Sequence, residues 1–205
     1  MSSITISSTL LQEYDASLNR FAKGEYIFHE NWQAHFYFQV EEGIVKMCNE
    51  GEKNDFIQGM FMQGESFGEP PLLADFPYPA SACAVCDSKI WVLKKENFFT
   101  LLKENYDTHL HLTKILANRL RYKAFILRDM ATALPEDRIL TIIDYFKQKI
   151  PYEKRQNGHY EVPFTRQLLA DMTGLRVETV IKKIGELADK GSLEIREHKV
   201  LRKYQ

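Results

Sequence analysis

The stretch "DTHLHLTKILANRLRYKAFILRDMATAL", residues 107–134, contains neither glycine nor proline and constrains the fold more than any other part of the chain. Nothing in it breaks a helix, so the spacing predicts one long helix. Leu116, Leu120, Lys123, Leu127, Met130 and Leu134 follow the alternating 4-3 spacing of a coiled-coil seam. Leu112, Ile115, Tyr122 and Ile126 form a second stripe on another face. A helix with two apolar faces needs two partners. The second stripe suits the neighbouring domain of the same chain, and the first suits a dimer seam built from Leu116, Leu120, Lys123, Leu127 and Met130, with intramolecular packing as its alternative. Pro135 stops this helix and opens the next, with Glu136 and Asp137 at its positive end. A hinge between domains is placed there.

The two sides of the long helix differ in period. From about Gly24 to Leu93, "AHFYFQV", "GIVKMC", "DFIQGMF" and "SKIWVL" read as short strands separated by Gly, Asn and Asp. Phe36, Phe38 and Val40 alternate onto one face. Regular short strands with glycines at the corners predict a barrel or β-roll. "ENFFTLLKENY" reads as a short helix before the long one, and "EDRILTIIDYFKQKI" as the helix after it. "PYEKRQNGHYEV" is a polar connection. The expected fold class is therefore α+β: a β-roll over residues 1–106, a long helix over 107–134 and a small domain over 135–205.

That last domain carries the most specific local pattern. Thr165 is placed to cap a helix over "RQLLADMT", Ala170 is small where two helices would cross, and Gly174 supplies a left-handed stop. A second helix follows from Val177 to Leu187, burying Val180, Ile184 and Leu187. "SLEIREHKVLRKYQ" then reads as two strands about a tight turn near Glu197 and His198. Two short helices with a glycine turn and a hairpin describe a winged helix-turn-helix. The second helix presents Arg176, Glu178, Thr179, Lys182 and Lys183. Arginine donates twice to guanine and glutamate accepts from cytosine, while Thr165, Arg166 and Gln167 are placed to hold phosphates. The alternative is a solvated charged face on an ordinary bundle.

Charge agrees with a DNA partner. From Leu134 onward 14 Lys+Arg face 11 Asp+Glu, leaving 13 of the 27 basic and 17 of the 28 acidic residues before it. Three cysteines (Cys48, Cys83, Cys86) are an odd count, which suits reduced thiols in a cytoplasm. No apolar run reaches membrane-span length, and the N-terminus lacks the charged and apolar regions of a secretory signal. No catalytic constellation, phosphate loop or metal-ligand spacing is present, so an enzyme is not expected. An iron–sulfur cluster is disfavoured because no cysteine precedes Cys48, and Cys83 and Cys86 would point to opposite faces of a strand. His29, His35, His109 and His111 are haem-ligand candidates by type only.

"FTRQLLADMTGLRVETVIKKIGELADKGSLEI" resembles the DNA-binding domain of the Crp/Fnr superfamily of bacterial transcription regulators. "GEYIF", "EEGIVKM" and "GESFGEPPLLADFPYPASACAVCDSKIWVL" resemble that family's cyclic-nucleotide-binding β-roll, a double-stranded β-helix of jelly-roll type. The resemblance spans about Phe21 to Tyr204. It implies a homodimer, double-stranded DNA and RNA polymerase as partners, and a small-molecule effector whose identity the residues leave open. Glu178, Thr179 and Lys182 match recognition-helix positions, whereas Val177 stands where arginine is common, with Arg176 beside it. In the pocket, Gly68, Glu69, Ser81 and Ala82 match. Ala80 occupies the position of the phosphate-binding arginine, and Lys123-Ala124 replaces the usual Thr-Ser pair. A missing charge-assisted bond, about 1.5–3 kcal/mol, predicts at least a tenfold loss of cyclic-nucleotide affinity. Lys123 either reaches an acidic ligand from across the dimer or only sets the register of the seam. Glu69 is either a ligand contact or a cap for loop N–H groups. A ligand-binding regulatory module without DNA binding, and a haem or redox sensor, are the rival functions.

Overall fold

The structure, a computed structural model, describes residues 5–51, 55–149 and 158–203. The chain divides into two compact units, one of residues 3–121 and one holding residues 122–205.

The first unit is a two-sheet antiparallel jelly roll. Its strands are β1 (Ser17–Phe21), β2 (Tyr26–Phe28), β3 (Phe36–Glu42), β4 (Ile44–Asn49), β5 (Phe56–Met62), β6 (Ser66–Phe67), β7 (Ser81–Ala84) and β8 (Ser88–Lys94). One sheet runs β1-β8-β3-β6 and the other β2-β7-β4-β5, so successive strands change layer at every step except the β4-β5 hairpin, which stays within one sheet. Short helices α1 (Ser8–Glu13), α2 (Glu69–Ala74) and α3 (Lys95–Glu104) flank them.

The face pattern of β3 departs from the sequence expectation. Phe38 and Val40 are buried, but Phe36 is 39% exposed at the strand's end, and Tyr37 and Gln39 are buried as well. The strand is central and covered on both sides. Inside the sandwich Phe38 stacks on Phe67 (5.3 Å between centroids) and lies beside Phe28. On the other side Tyr37 stacks on Phe98 of α3 (4.7 Å). The Gln39 amide accepts from Ile6 N (2.9 Å) and donates to Ile6 O (2.8 Å), holding the N-terminal segment in place of a further strand. Strand β7 ends at Ala84, so Cys86 lies beyond it rather than on the opposite face of the same strand.

The long helix α4 spans Tyr106–Thr132, and α5 spans Pro135–Lys149. Leu134 O accepts from both Asp137 N and Arg138 N, starting α5 at the proline. Ile139, Ile142, Ile143 and Phe146 are buried at helical spacing and form the α5 contribution to a second core. Around it pack α6 (Arg166–Thr173), α7 (Val177–Asp189) and a β10-β11-β9 sheet of β9 (His159–Glu161), β10 (Glu194–Arg196) and β11 (Lys199–Lys203). Strand β9 ends the segment read from sequence as a polar connection; residues 151–157 of that segment lie outside the described residues. Arg202 donates to both oxygens of Asp144 (2.9 and 2.8 Å), fastening β11 to α5.

Candidate functional site

The helix-turn-helix is built from local chemistry. Thr165 Oγ1 accepts from Leu168 N (3.1 Å) and caps α6. Gly174 takes φ 66°, where a β-carbon would be strained, and Leu175 N returns to Ala170 O (3.2 Å). Helix α7 buries Val180, Ile184 and Leu187, which fixes its rotation. Arg176, Glu178, Ile181 and Lys182 are left exposed, with Thr179 half-buried. The wing turns through Glu197 (φ 47°) and His198 (φ 65°), two left-handed residues in succession, as a tight two-residue hairpin demands.

Besides Thr165, three of the residues assigned from sequence have intramolecular partners. Arg166 Nη1 donates to His198 O (2.8 Å), joining the first helix to the wing turn. Gln167 Nε2 donates to Asp171 Oδ1 (2.8 Å) while the residue remains exposed. Lys183 is turned toward Glu186 (2.8 Å) and Glu136 of α5 (3.3 Å), and hydrogen bonds to these two carboxylates hold its ammonium above the usual lysine range. It therefore stands apart from the exposed stripe. Ile181, 57% exposed, was not among the sequence candidates.

In the first unit, the Gly-Glu turn lies at the start of α2. Gly68 takes φ 75°, and a β-carbon there would stand 3.3 Å from the Phe28 and Tyr78 rings. Glu69 is 1% exposed. Its carboxylate receives Arg119 Nη1 of α4 at 3.0 and 3.2 Å and the Ser66 hydroxyl, while Arg119 Nη2 donates to Ser66 O (2.7 Å). The guanidinium also lies 5.2 Å from the centre of the Phe61 ring. A full countercharge and a hydroxyl thus meet a carboxylate that water barely reaches. Ala80 and Ala82 are buried without exposed surface, and Ser81 Oγ accepts from Glu30 N (2.9 Å). Lys123 is exposed.

Arg119 was missed because the sequence reading sought a basic partner near the loop and then at Lys123. The signal was present: Leu112, Leu116 and Arg119 share one helical face at i, i+4 and i+7. Leu112 is buried in the jelly-roll core and Leu116 packs against it, so Leu116 faces inward. Leu120 and Leu127 are 72% and 71% exposed; the side chain of Met130 lies outside the described residues.

Among the described residues no group of three or more His, Cys, Asp or Glu is placed to hold a metal ion. Cys48 and Cys83 lie on the paired strands β4 and β7. Burial pushes the Cys48 thiol up to about 11 and raises Cys83 too, the nearby Lys46 ammonium offsetting only part of it. No helix among the described residues is long and apolar enough to cross a membrane.

Comparison with known proteins bears on both units. A cyclic nucleotide-binding domain matches residues 18–105, and a Crp-like helix-turn-helix domain matches residues 138–203. The chain belongs to the Crp/Fnr family of transcription regulators. Among curated members, the HTH-type transcriptional regulator ArcR of Staphylococcus aureus strain Newman is 25% identical over 201 residues, 96% of this chain and 84% of that protein. Two solved structures share the fold. FixK2 from Bradyrhizobium japonicum matches with a TM-score of 0.79 at 20% identity, covering 93% of each chain. The c-di-GMP responsive global regulator CLP of Xanthomonas campestris matches with a TM-score of 0.78 at 18% identity, covering 97% of this chain and all of that one. As a Crp/Fnr regulator with an effector-type domain and a helix-turn-helix, this chain has DNA as its partner class.

Proposed function

We propose that this Crp/Fnr regulator acts as a cytoplasmic homodimer without enzymatic activity, each subunit laying α7 in a major groove, and that its effector is not cyclic AMP. The observation that carries the DNA reading is the exposed stripe of α7, whose rotation is set by buried Val180, Ile184 and Leu187. Arg176, Glu178, Thr179 and Lys182 read base edges, and Thr165, Arg166 and Gln167 face the phosphates. The homodimer reading is supported by Leu120 and Leu127 of α4, seven residues apart and each more than 70% exposed. RNA polymerase is the partner that family membership implies for a promoter-bound regulator.

Two observations support an effector other than cyclic AMP. No arginine or lysine lies between Gly64 and Ser88, and the Glu69 carboxylate is already held by Arg119 and Ser66. Because CLP is a c-di-GMP responsive relative, that dinucleotide belongs in the ligand panel beside cyclic AMP. Selection of a preferred duplex from randomised DNA by the full chain, followed by gel-shift at increasing salt, tests the DNA reading. A salt-sensitive complex with one preferred sequence is expected, and equal affinity for all duplexes refutes it. Calorimetry with cyclic AMP tests the second reading, which micromolar affinity overturns.

A further inference from the structure

Ile181 stands out on α7 because a large apolar side chain is left mostly in water there. It is 57% exposed, three residues after Glu178 and one before Lys182, both of which are also exposed. A β-branched side chain on an exposed helix face lowers helix propensity. Gly185 lies on the same stripe, so that Glu178, Ile181, Lys182 and Gly185 occupy positions i, i+3, i+4 and i+7. A glycine within a helix also costs stability, and a β-carbon at Gly185 would meet nothing within 4 Å. Packing inside this chain therefore requires neither residue. Both are suited to a body that approaches the helix from outside.

The chemistry of the stripe identifies what that body presents to Ile181. A carboxylate and an ammonium flank one apolar group. The major groove offers the same mixture, hydrogen-bonding edges interrupted by the C5-methyl of thymine. We infer that Ile181 is a specificity-determining residue that packs on a thymine methyl, while the bare Gly185 backbone lets the next turn of α7 approach the DNA closely. This inference rests on the reading of α7 as the groove-bound helix.

In the test, the full chain selects its preferred duplex from a randomised pool. Each thymine is then replaced in turn by deoxyuridine, which removes only the methyl group. At one or two positions the wild-type protein should lose about fourfold in affinity, the worth of one buried methyl group. Ile181→Ala should bind the thymine and uracil duplexes equally at those positions. Ile181→Val should keep part of the difference. Melting temperatures close to wild type are expected for both variants, since the side chain is largely exposed. If Ile181→Ala keeps the full uracil penalty, or the wild type is indifferent to every replacement, the methyl contact is refuted although the groove reading stands. If no duplex is preferred at all, the groove reading falls and the contact with it.

Discussion

Replacing Arg119 by alanine probes the sensor unit at its most demanding point. The substitution removes two bonds to the Glu69 carboxylate (3.0 and 3.2 Å), one to Ser66 O (2.7 Å) and the contact with the Phe61 ring. Glu69 is 1% exposed and keeps only the Ser66 hydroxyl. Stranding one member of a buried pair costs about 3–5 kcal/mol. Arg119 is 24% exposed, so some water follows it, and about 2–4 kcal/mol is expected. For a unit of this size that lowers the melting temperature by roughly 10 °C. The assay is urea unfolding followed by tryptophan fluorescence, which reports this unit alone because both tryptophans, Trp32 and Trp91, lie in it. Arg119→Met combined with Glu69→Leu removes both charges and should recover much of the loss, since apolar replacements of buried pairs are often neutral. A loss below about 1 kcal/mol for Arg119→Ala, or a double variant as unstable as the sum of its parts, refutes the argument.

Aspartate at Leu120 or Leu127 should convert a dimer to a monomer in sedimentation, because each side chain is more than 70% exposed on the proposed seam; an unchanged mass rejects that seam. Lys182→Ala should weaken the preference for the selected duplex. Lys183→Ala should leave it intact, since that ammonium is held by Glu186 and Glu136; a lost preference with Lys183→Ala would return this residue to the groove. Acid should weaken the second unit through Asp144. Burial alone would raise its carboxyl, but the hydrogen bonds and charge of Arg202, with Lys147, outweigh burial and hold it below the ordinary value. The stabilisation, on the order of 1 kcal/mol for a partly exposed pair, is fully present above the unfolded value near 3.9 and is lost as pH falls through the lower folded one. Asp144→Asn should be less stable than wild type at pH 7, and the two melting curves should converge in acid; a constant gap down to pH 2 refutes the pair's role.

The second unit was legible because its instructions are local. The Thr165 cap, the Gly174 stop and the Val180, Ile184 and Leu187 row act within a few residues of one another, so capping and periodicity suffice. The jelly roll was legible only as strands separated by turns. Its layer order depends on pairings such as β1 with β8, and the burial of Tyr37 depends on Phe98, which is distant in sequence. An alternation rule assumes one wet face, and β3 has none. Ion pairs were the least legible features. Asp144 finds Arg202 and Lys183 finds Glu136 across the folded unit, and composition shows that charges exist without showing which ones meet.

Glu69 and Arg119 illustrate the same limit and have a functional consequence. The motif placed a carboxylate in the sensor turn, but its partner lies 50 residues away on α4. The next residue on that helix is Leu120, which is 72% exposed. Consecutive helical residues point about 100° apart, so one faces the sensor turn while the other faces the proposed partner subunit. An effector that takes the Glu69 oxygens must displace the Arg119 guanidinium, and α4 cannot rotate Arg119 away without turning Leu120 by the same angle. Coupling requires that the effector's affinity differ between two helix positions, and the Arg119–Glu69 bonds would supply that difference if a rotated α4 gave them up. Substitutions at Arg119 should therefore change the dimer's dissociation constant as well as the stability of the sensor, whereas Lys95→Ala, which removes the exposed pair with Asp75, should leave dimerisation unchanged. Equal dimer affinity in Arg119→Met and wild type would separate the sensor turn from the seam.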